Sequence, residues 1–317
     1  MTFPPYKPSL LLRNGDSNTI YSDLKRRLNP ILPYKRKRLT TVDDDFIDLD
    51  YVKSGNKRIA YLLHGLESSS HGSYILGIGK LLHAAGWDIA AINYRSCSGE
   101  INRQMRVYHA GATDDVDFVL QDFVEEYEEV VLVGFSLGGN LALRYAGEKG
   151  THLHPHIKSI VGVSVPIDLA KCSQALDGKA FNAIYVQMFL RSLKEKVKLK
   201  MEQFPEMYTL EKLKKIKKIK DFDDMFTGPI AGYKDAMDYY TQCSCKTVLA
   251  NIKVPSLIIN ALDDPFLMPD KYEEVLKQNP LIESIFTTYG GHVGFSYLGG
   301  KISWSEQVIF QYLHRSF

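Results

Sequence analysis

From Asp45 onward, short apolar runs alternate with segments whose apolar residues recur at helical spacing, and no other feature of the chain constrains its fold as much. The segments DFIDLDYV, RIAYLLHG, WDIAAINY, EVVLVGF, SIVGVSVP, PSLIINAL and ESIFTTY read as strands, the first of them half-buried by its apolar/polar alternation. HGSYILGIGKLLHAAG, GATDDVDFVLQDFVEEYEE and SLGGNLALRYAGEKG read as helices, the first stopping at Gly86, and a closing helix runs from about Ser303 to His314. Strands joined through helices must run parallel, and a parallel sheet needs both faces covered. The expected class is therefore α/β: a mostly parallel central sheet with helices on both faces. The rhythm breaks between Val165 and Val254, a stretch with helical patterning and no clear strand, too long for a crossover connection. It is expected to be an inserted helical cap. The expected division is an N-terminal arm over 1–44, a core over 45–165 and 251–317, and a cap over 166–250.

One junction carries chemistry. VLVGFSLGGN sets Ser136 between Gly134 and Gly138, with a β-branched strand before it and a helical pattern after it. A serine on a sharp strand-to-helix turn is lifted above the carboxyl edge of the sheet, and larger residues at the glycine positions would collide. The same turn puts the Leu137 N–H at a helix N-terminus, where it favours a developing oxyanion. A hydroxyl needs a base to become a nucleophile. In the order Ser…Asp…His the base follows the last strand, and ESIFTTYGGHVGF supplies His292 there, in a loop whose small neighbours leave the imidazole room. The acid follows the preceding strand, where PSLIINALDDPF offers two adjacent carboxylates. Asp264 fits the turn of small residue, two residues, Asp. Asp263 is the alternative, read otherwise as a turn-stabilising carboxylate. The loop after His64-Gly65 brings the Leu66 N–H as a second oxyanion donor, with His64 as a packing residue rather than a second base.

The remaining residues narrow the field. With 317 residues, 45% of them hydrophobic, the chain can bury a large core, and a net charge of +2 gives no reason to expect nucleic acid as a partner. Cys97, Cys172, Cys243 and Cys245 match neither a disulfide framework nor a common zinc spacing, and read as free thiols. Prolines interrupt the N-terminal segment where a signal peptide needs an apolar run, and no stretch is long enough to span a bilayer, so the cytoplasm is the expected compartment. The basic run from Tyr34 to Arg38 is expected to be solvated. Arg95 and Glu100 read as loop-fixing charges, Cys97 as packing, and Asp114 and Asp115 as helix-capping carboxylates beside His109. HLHPH at 152–156 puts three histidines close together, but Pro155 argues for a loop over a zinc-binding strand. LKKIKKIK spaces Leu213, Ile216 and Ile219 by three among lysines. Packing of this basic amphipathic stripe within the cap is preferred to transient contact with a lipid surface or a phosphate-bearing substrate.

The motifs LHGLESS, NYRSCSGEINR, YHAGATDD, GFSLGGN, EKGTHLHPHIKSIVGVSVPIDL, DFDDMFTGPIAGY, DYY, INALDDPF and GGHVGF, spread over residues 45 to 300, resemble those of the YheT-like carboxylesterases of the α/β-hydrolase superfamily. Their eukaryotic relatives include lipid esterases and medium-chain fatty-acid ethyl ester synthases. The resemblance implies an α/β-hydrolase fold with a helical cap, and a triad of Ser136, Asp264 and His292 acting on acyl esters. Two positions depart from the pattern: Ser68 and Ser96 stand where glycine is common. The expected activity is serine-dependent hydrolysis of short- to medium-chain acyl esters, with no metal or organic cofactor. Acyl transfer to an alcohol and a catalytically silent binding module are the alternatives.

Overall fold

A computed structural model describes residues 3–26, 32–268 and 272–315. Eight strands form one sheet in the order β1-β2-β4-β3-β5-β6-β7-β8. In chain order they are β1 (Lys35–Thr40), β2 (Phe46–Val52), β3 (Arg58–Leu63), β4 (Asp88–Asn93), β5 (Glu129–Phe135), β6 (Ile157–Val163), β7 (Ser256–Ala261) and β8 (Ile282–Thr287). The pairs β1/β2 and β2/β4 are antiparallel; the other pairs are parallel. The seven expected strands are present, in an α/β architecture.

The helices are α1 (Gly15–Arg26), α2 (Ser73–Ala84), α3 (Thr113–Leu120), α4 (Leu137–Lys149), α5 (Leu169–Gly178), α6 (Ala183–Gln203), α7 (Leu210–Lys215), α8 (Ile219–Phe222), α9 (Gly228–Ile230), α10 (Ala236–Cys243), α11 (Tyr272–Leu276) and α12 (Trp304–Arg315). Neighbouring residues of the central strands feed opposite cores, as the two-residue period of a strand requires. Ile59, Tyr61 and Leu63 meet α3, α4 and α10 on one face. Ala60 and Leu62 meet α2 and α12 on the other. Both faces are thus dry, which explains why these strands read as unbroken apolar runs. Between β6 and β7 the chain is helical, with no strand over 164–255. Its helices enclose a third apolar cluster built on Leu190, Leu193 and Val197 of α6.

Four local expectations are corrected. The basic run stays exposed over Lys35–Arg38, as expected, but it forms the edge strand β1. Arg36 and Arg38 each make a two-point pair with an aspartate of β2, Asp50 at 2.7 Å and Asp48 at 2.8 Å. Those aspartates are buried, so β2 is not half-exposed, and the arginines supply the countercharge that burial demands. Residues 15–26 form a helix within the segment expected as an N-terminal arm, where no helix was read. The long helix expected over 111–129 ends at Leu120 and is followed by a separate single turn of 3₁₀ helix. The LKKIKKIK stripe is not one helix either: α7 stops at Lys215 and Ile216 is extended. Leu213, Ile216 and Ile219 are buried in the third apolar cluster, so this stripe offers no apolar face to a lipid surface.

Candidate active site

The site is built at the carboxyl ends of β5, β7 and β8. At the end of β5 the chain reverses into α4 through Ser136, whose φ of 51° and ψ of −121° are costly for a residue with a side chain. The turn is fixed on both sides. The Ser136 N–H donates to Val163 O at 2.8 Å, and the N–H groups of Gly139 and Asn140 donate to Ser136 O. A Cβ on Gly138 would fall 2.2 Å from Leu63 O, and one on Gly134 would fall 2.2 Å from Gly138 O. The glycines are what allow β3, β5 and α4 to approach this closely.

Ser136 Oγ lies 2.9 Å from His292 Nε2. On the other side of the ring, His292 Nδ1 faces Asp264 at 2.9 Å to Oδ2 and 3.2 Å to Oδ1. The Asp264 side chain is fully buried and its Oδ1 also accepts from the Phe266 N–H at 2.8 Å. A proton on Nδ1 held by this carboxylate leaves Nε2 as the acceptor for the serine hydroxyl. Phe266 covers the imidazole, with ring centroids 4.3 Å apart. Asp263, the alternative left open by the sequence, points elsewhere: its Oδ1 accepts from the Gly291 N–H at 2.9 Å and so props the histidine loop.

Among the described residues no protein group accepts from the Leu66 or the Leu137 N–H, while the amides on either side of Leu66 are engaged: Gly65 N–H donates to the Tyr74 hydroxyl and Glu67 N–H to the Tyr108 hydroxyl. His64 is buried beneath this loop, its Nδ1 2.7 Å from Gly65 O and its ring 4.2 Å from that of Tyr94. Burial pushes its pKa down to about 3, so it is a neutral packing group.

Above the serine is a chamber of about 690 Å³, walled mainly by Leu169, Leu176, Phe189, Leu193, Val197 and Phe226. A polar cluster at its edge went unnoticed in the sequence. Glu67 Oε1 accepts from Tyr108 at 2.6 Å and from Lys196 at 2.7 Å, and its Oε2 pairs with Ser192. This ties the loop carrying Leu66 to α6. Thr19 of α1 was also missed; its hydroxyl accepts from the His292 N–H at 2.8 Å. Neither the tie from Glu67 to α6 nor the contact of Thr19 has a spacing signature, because in each the partners are more than a hundred residues apart.

The other candidates take structural places. Cys97 is buried, and burial pushes its thiol up to about 12, which leaves no thiolate. Arg95 binds Asp43, Asp45 and Asp115, and Glu100 pairs with Arg38, so both charges do fix loops. Asp114 and Asp115 are not caps: they pair with Arg106 and Arg95, and α3 has no side-chain cap. Ser96 has a φ of 65°, which accounts for glycine being common there. In the HLHPH loop, His154 Nε2 faces Glu125 at 2.9 Å, and ligand atoms of Glu125, His154 and His156 lie within 4.8 Å of one another. The His154 Nδ1, however, accepts from the His156 N–H, so its neutral ring keeps the proton on the nitrogen that would have to bind a metal. No helix among the described residues is long and apolar enough to cross a membrane.

Comparison with known proteins agrees with this architecture. Residues 61–295 match the family model for the alpha/beta hydrolase fold. The putative esterase YheT of Escherichia coli (strain K12) is 35% identical over 297 residues, covering 91% of this chain and 86% of that one. Phospholipase ABHD3 of Bos taurus is 30% identical over 279 residues, covering 84% and 67%. The structure of the Pyrococcus furiosus esterase Pf2001 superposes with a TM-score of 0.59 at 16% identity, over 89% of this chain and 92% of that one, a likeness of fold alone. The chain belongs to the α/β-hydrolase family, in its YheT-like branch.

Proposed function

We propose that the protein is a serine carboxylesterase acting on short- to medium-chain acyl esters, with Ser136 as nucleophile, His292 as base and Asp264 as the acid that orients it. The observation that carries this reading is the unbroken relay Ser136–His292–Asp264 opening into an apolar chamber. The esterase and phospholipase names of two relatives support ester hydrolysis.

In this mechanism Ser136 Oγ attacks the ester carbonyl carbon and its proton passes to His292 Nε2. The carbonyl oxygen becomes an oxyanion between the Leu66 and Leu137 N–H groups. When the tetrahedral adduct collapses, the C–O bond to the alcohol breaks and His292 returns the proton to the leaving oxygen. Water then attacks the acyl-enzyme, giving its proton to His292, and the second collapse restores the serine hydroxyl. Residues 166–250 act as a cap whose apolar side holds the acyl chain. The substrate is a small-molecule acyl ester, and four buried free cysteines support a reducing compartment such as the cytoplasm.

The test is fluorophosphonate labelling with a p-nitrophenyl ester series from acetate to palmitate. Wild-type protein should label on one site and turn over best at or below medium chains, and Ser136→Ala should neither label nor turn over. Undiminished labelling of Ser136→Ala, or flat background rates across the series, contradicts the reading.

A further inference from the structure

The N-terminal helix α1 lies outside the matched family region, yet it is bound to the loop that carries His292. We infer that Thr19 is a positioning residue for His292 and that α1 is part of the catalytic framework; the inference rests on the role proposed above for His292.

The loop that carries His292 is strained. Gly291, Val293 and Phe295 have φ values of 59°, 56° and 49°. A β-branched valine in the left-handed region is disfavoured, and such a backbone persists only where its surroundings hold it. Three successive N–H groups show how it is held. Gly291 donates to Asp263 Oδ1 at 2.9 Å, His292 to Thr19 Oγ1 at 2.8 Å and Val293 to Ser164 Oγ at 2.9 Å. Of these three supports only Thr19 lies outside residues 61–295. Its hydroxyl donates to Gly15 O at 2.7 Å, so its proton is committed to the helix and a lone pair is left for His292.

The rest of the segment reinforces this clamp. Ser22 Oγ lies 2.6 Å from Ser296 Oγ, Asn18 Oδ1 accepts from the Ser296 N–H at 3.2 Å, and the Tyr6 hydroxyl donates to Ser296 O at 2.6 Å. Asn18 and Ser22 are buried. Contact is close enough to dictate residue type: a Cβ on Gly291 would meet Gly15 O at 2.3 Å and Thr19 Oγ1 at 2.6 Å. The glycine before the histidine is therefore there to admit α1, as well as for its positive φ. The same helix walls the substrate chamber with Ile20 and Leu24.

The experiment compares wild type, Thr19→Val, Thr19→Ser and Ser22→Ala with p-nitrophenyl butyrate, and measures fluorophosphonate labelling on each. Valine keeps the shape and removes the acceptor, so the base is held less accurately while the acyl wall is intact. Thr19→Val should lose about tenfold in kcat with KM changed by less than about twofold, and Thr19→Ser should keep kcat within about twofold. Labelling of Thr19→Val should be slower by a similar factor but reach full stoichiometry. Should Thr19→Val fail to fold, Ser22→Ala, which loosens the loop without touching His292, should show the same kcat-only loss at about threefold. Wild-type kcat in Thr19→Val, or in Ser22→Ala if that variant stands in, overturns the inference, as does a loss confined to KM. An unlabelled wild type would instead overturn the esterase reading beneath it.

Discussion

At the residue scale, the adjacent carboxylates Asp263 and Asp264 have separate tasks. Asp264 faces His292 Nδ1, where the proposed mechanism needs a carboxylate, and Asp263 accepts from the Gly291 amide. Asp264→Asn should lower kcat by roughly 10³–10⁴, because an amide stabilises the wrong tautomer and no imidazolium. Asp263→Asn keeps an acceptor oxygen for Gly291 and should cost only about tenfold or less. Steady-state kinetics on the two variants, with circular dichroism to check folding, decides between them; equal losses would contradict the division. Ser136 and His292 were legible in sequence because each follows a strand in an order that the fold dictates. The choice between the aspartates was not, since one residue of turn geometry separates them. Thr19 left no trace at all: a lone threonine near the N-terminus acquires meaning only when α1 meets a loop more than 270 residues away.

At the element scale, seven strands were readable, including the edge strand β8, and the edge strand β1 was not. β3, β4 and β5 are apolar through their middles because both faces are covered, whereas β1 reads KRKRLT, pairs along β2 and sets its arginines against the buried Asp48 and Asp50. Charge pairing across neighbouring strands has no periodic signature in one strand alone. The helices between β6 and β7 likewise showed their apolar spacing but not which side it faced. α6 is the element through which chain-length preference should be adjustable, as Leu193 and Val197 both line the chamber. Val197→Phe should shorten the usable space and lower kcat/KM for an octanoyl ester relative to a butyryl ester by about tenfold or more, measured with matched p-nitrophenyl substrates. An unchanged ratio would show that the acyl chain runs elsewhere.

For the whole molecule, burying neutral histidines makes stability depend on pH. His64 and His109 have pKa values pushed down to about 3 by burial. Below the ordinary histidine value of about 6.5 the unfolded chain binds protons that the folded chain does not, so stability falls as pH drops toward 3. Each site contributes up to about 1.4 kcal/mol per pH unit in that window. Urea unfolding between about pH 6.5 and about pH 4.5 should show this decline, and His109→Gln should reduce its slope; an identical slope would contradict the assignment. The larger claim is that segments from both ends of the chain converge on one sheet edge to make a serine acylable. Rapid acid quench during turnover of p-nitrophenyl butyrate, followed by peptide mapping by mass spectrometry, tests it most directly. The account predicts a butyryl group on the peptide containing Ser136 and on no other; turnover with the acyl group on a different residue would contradict it.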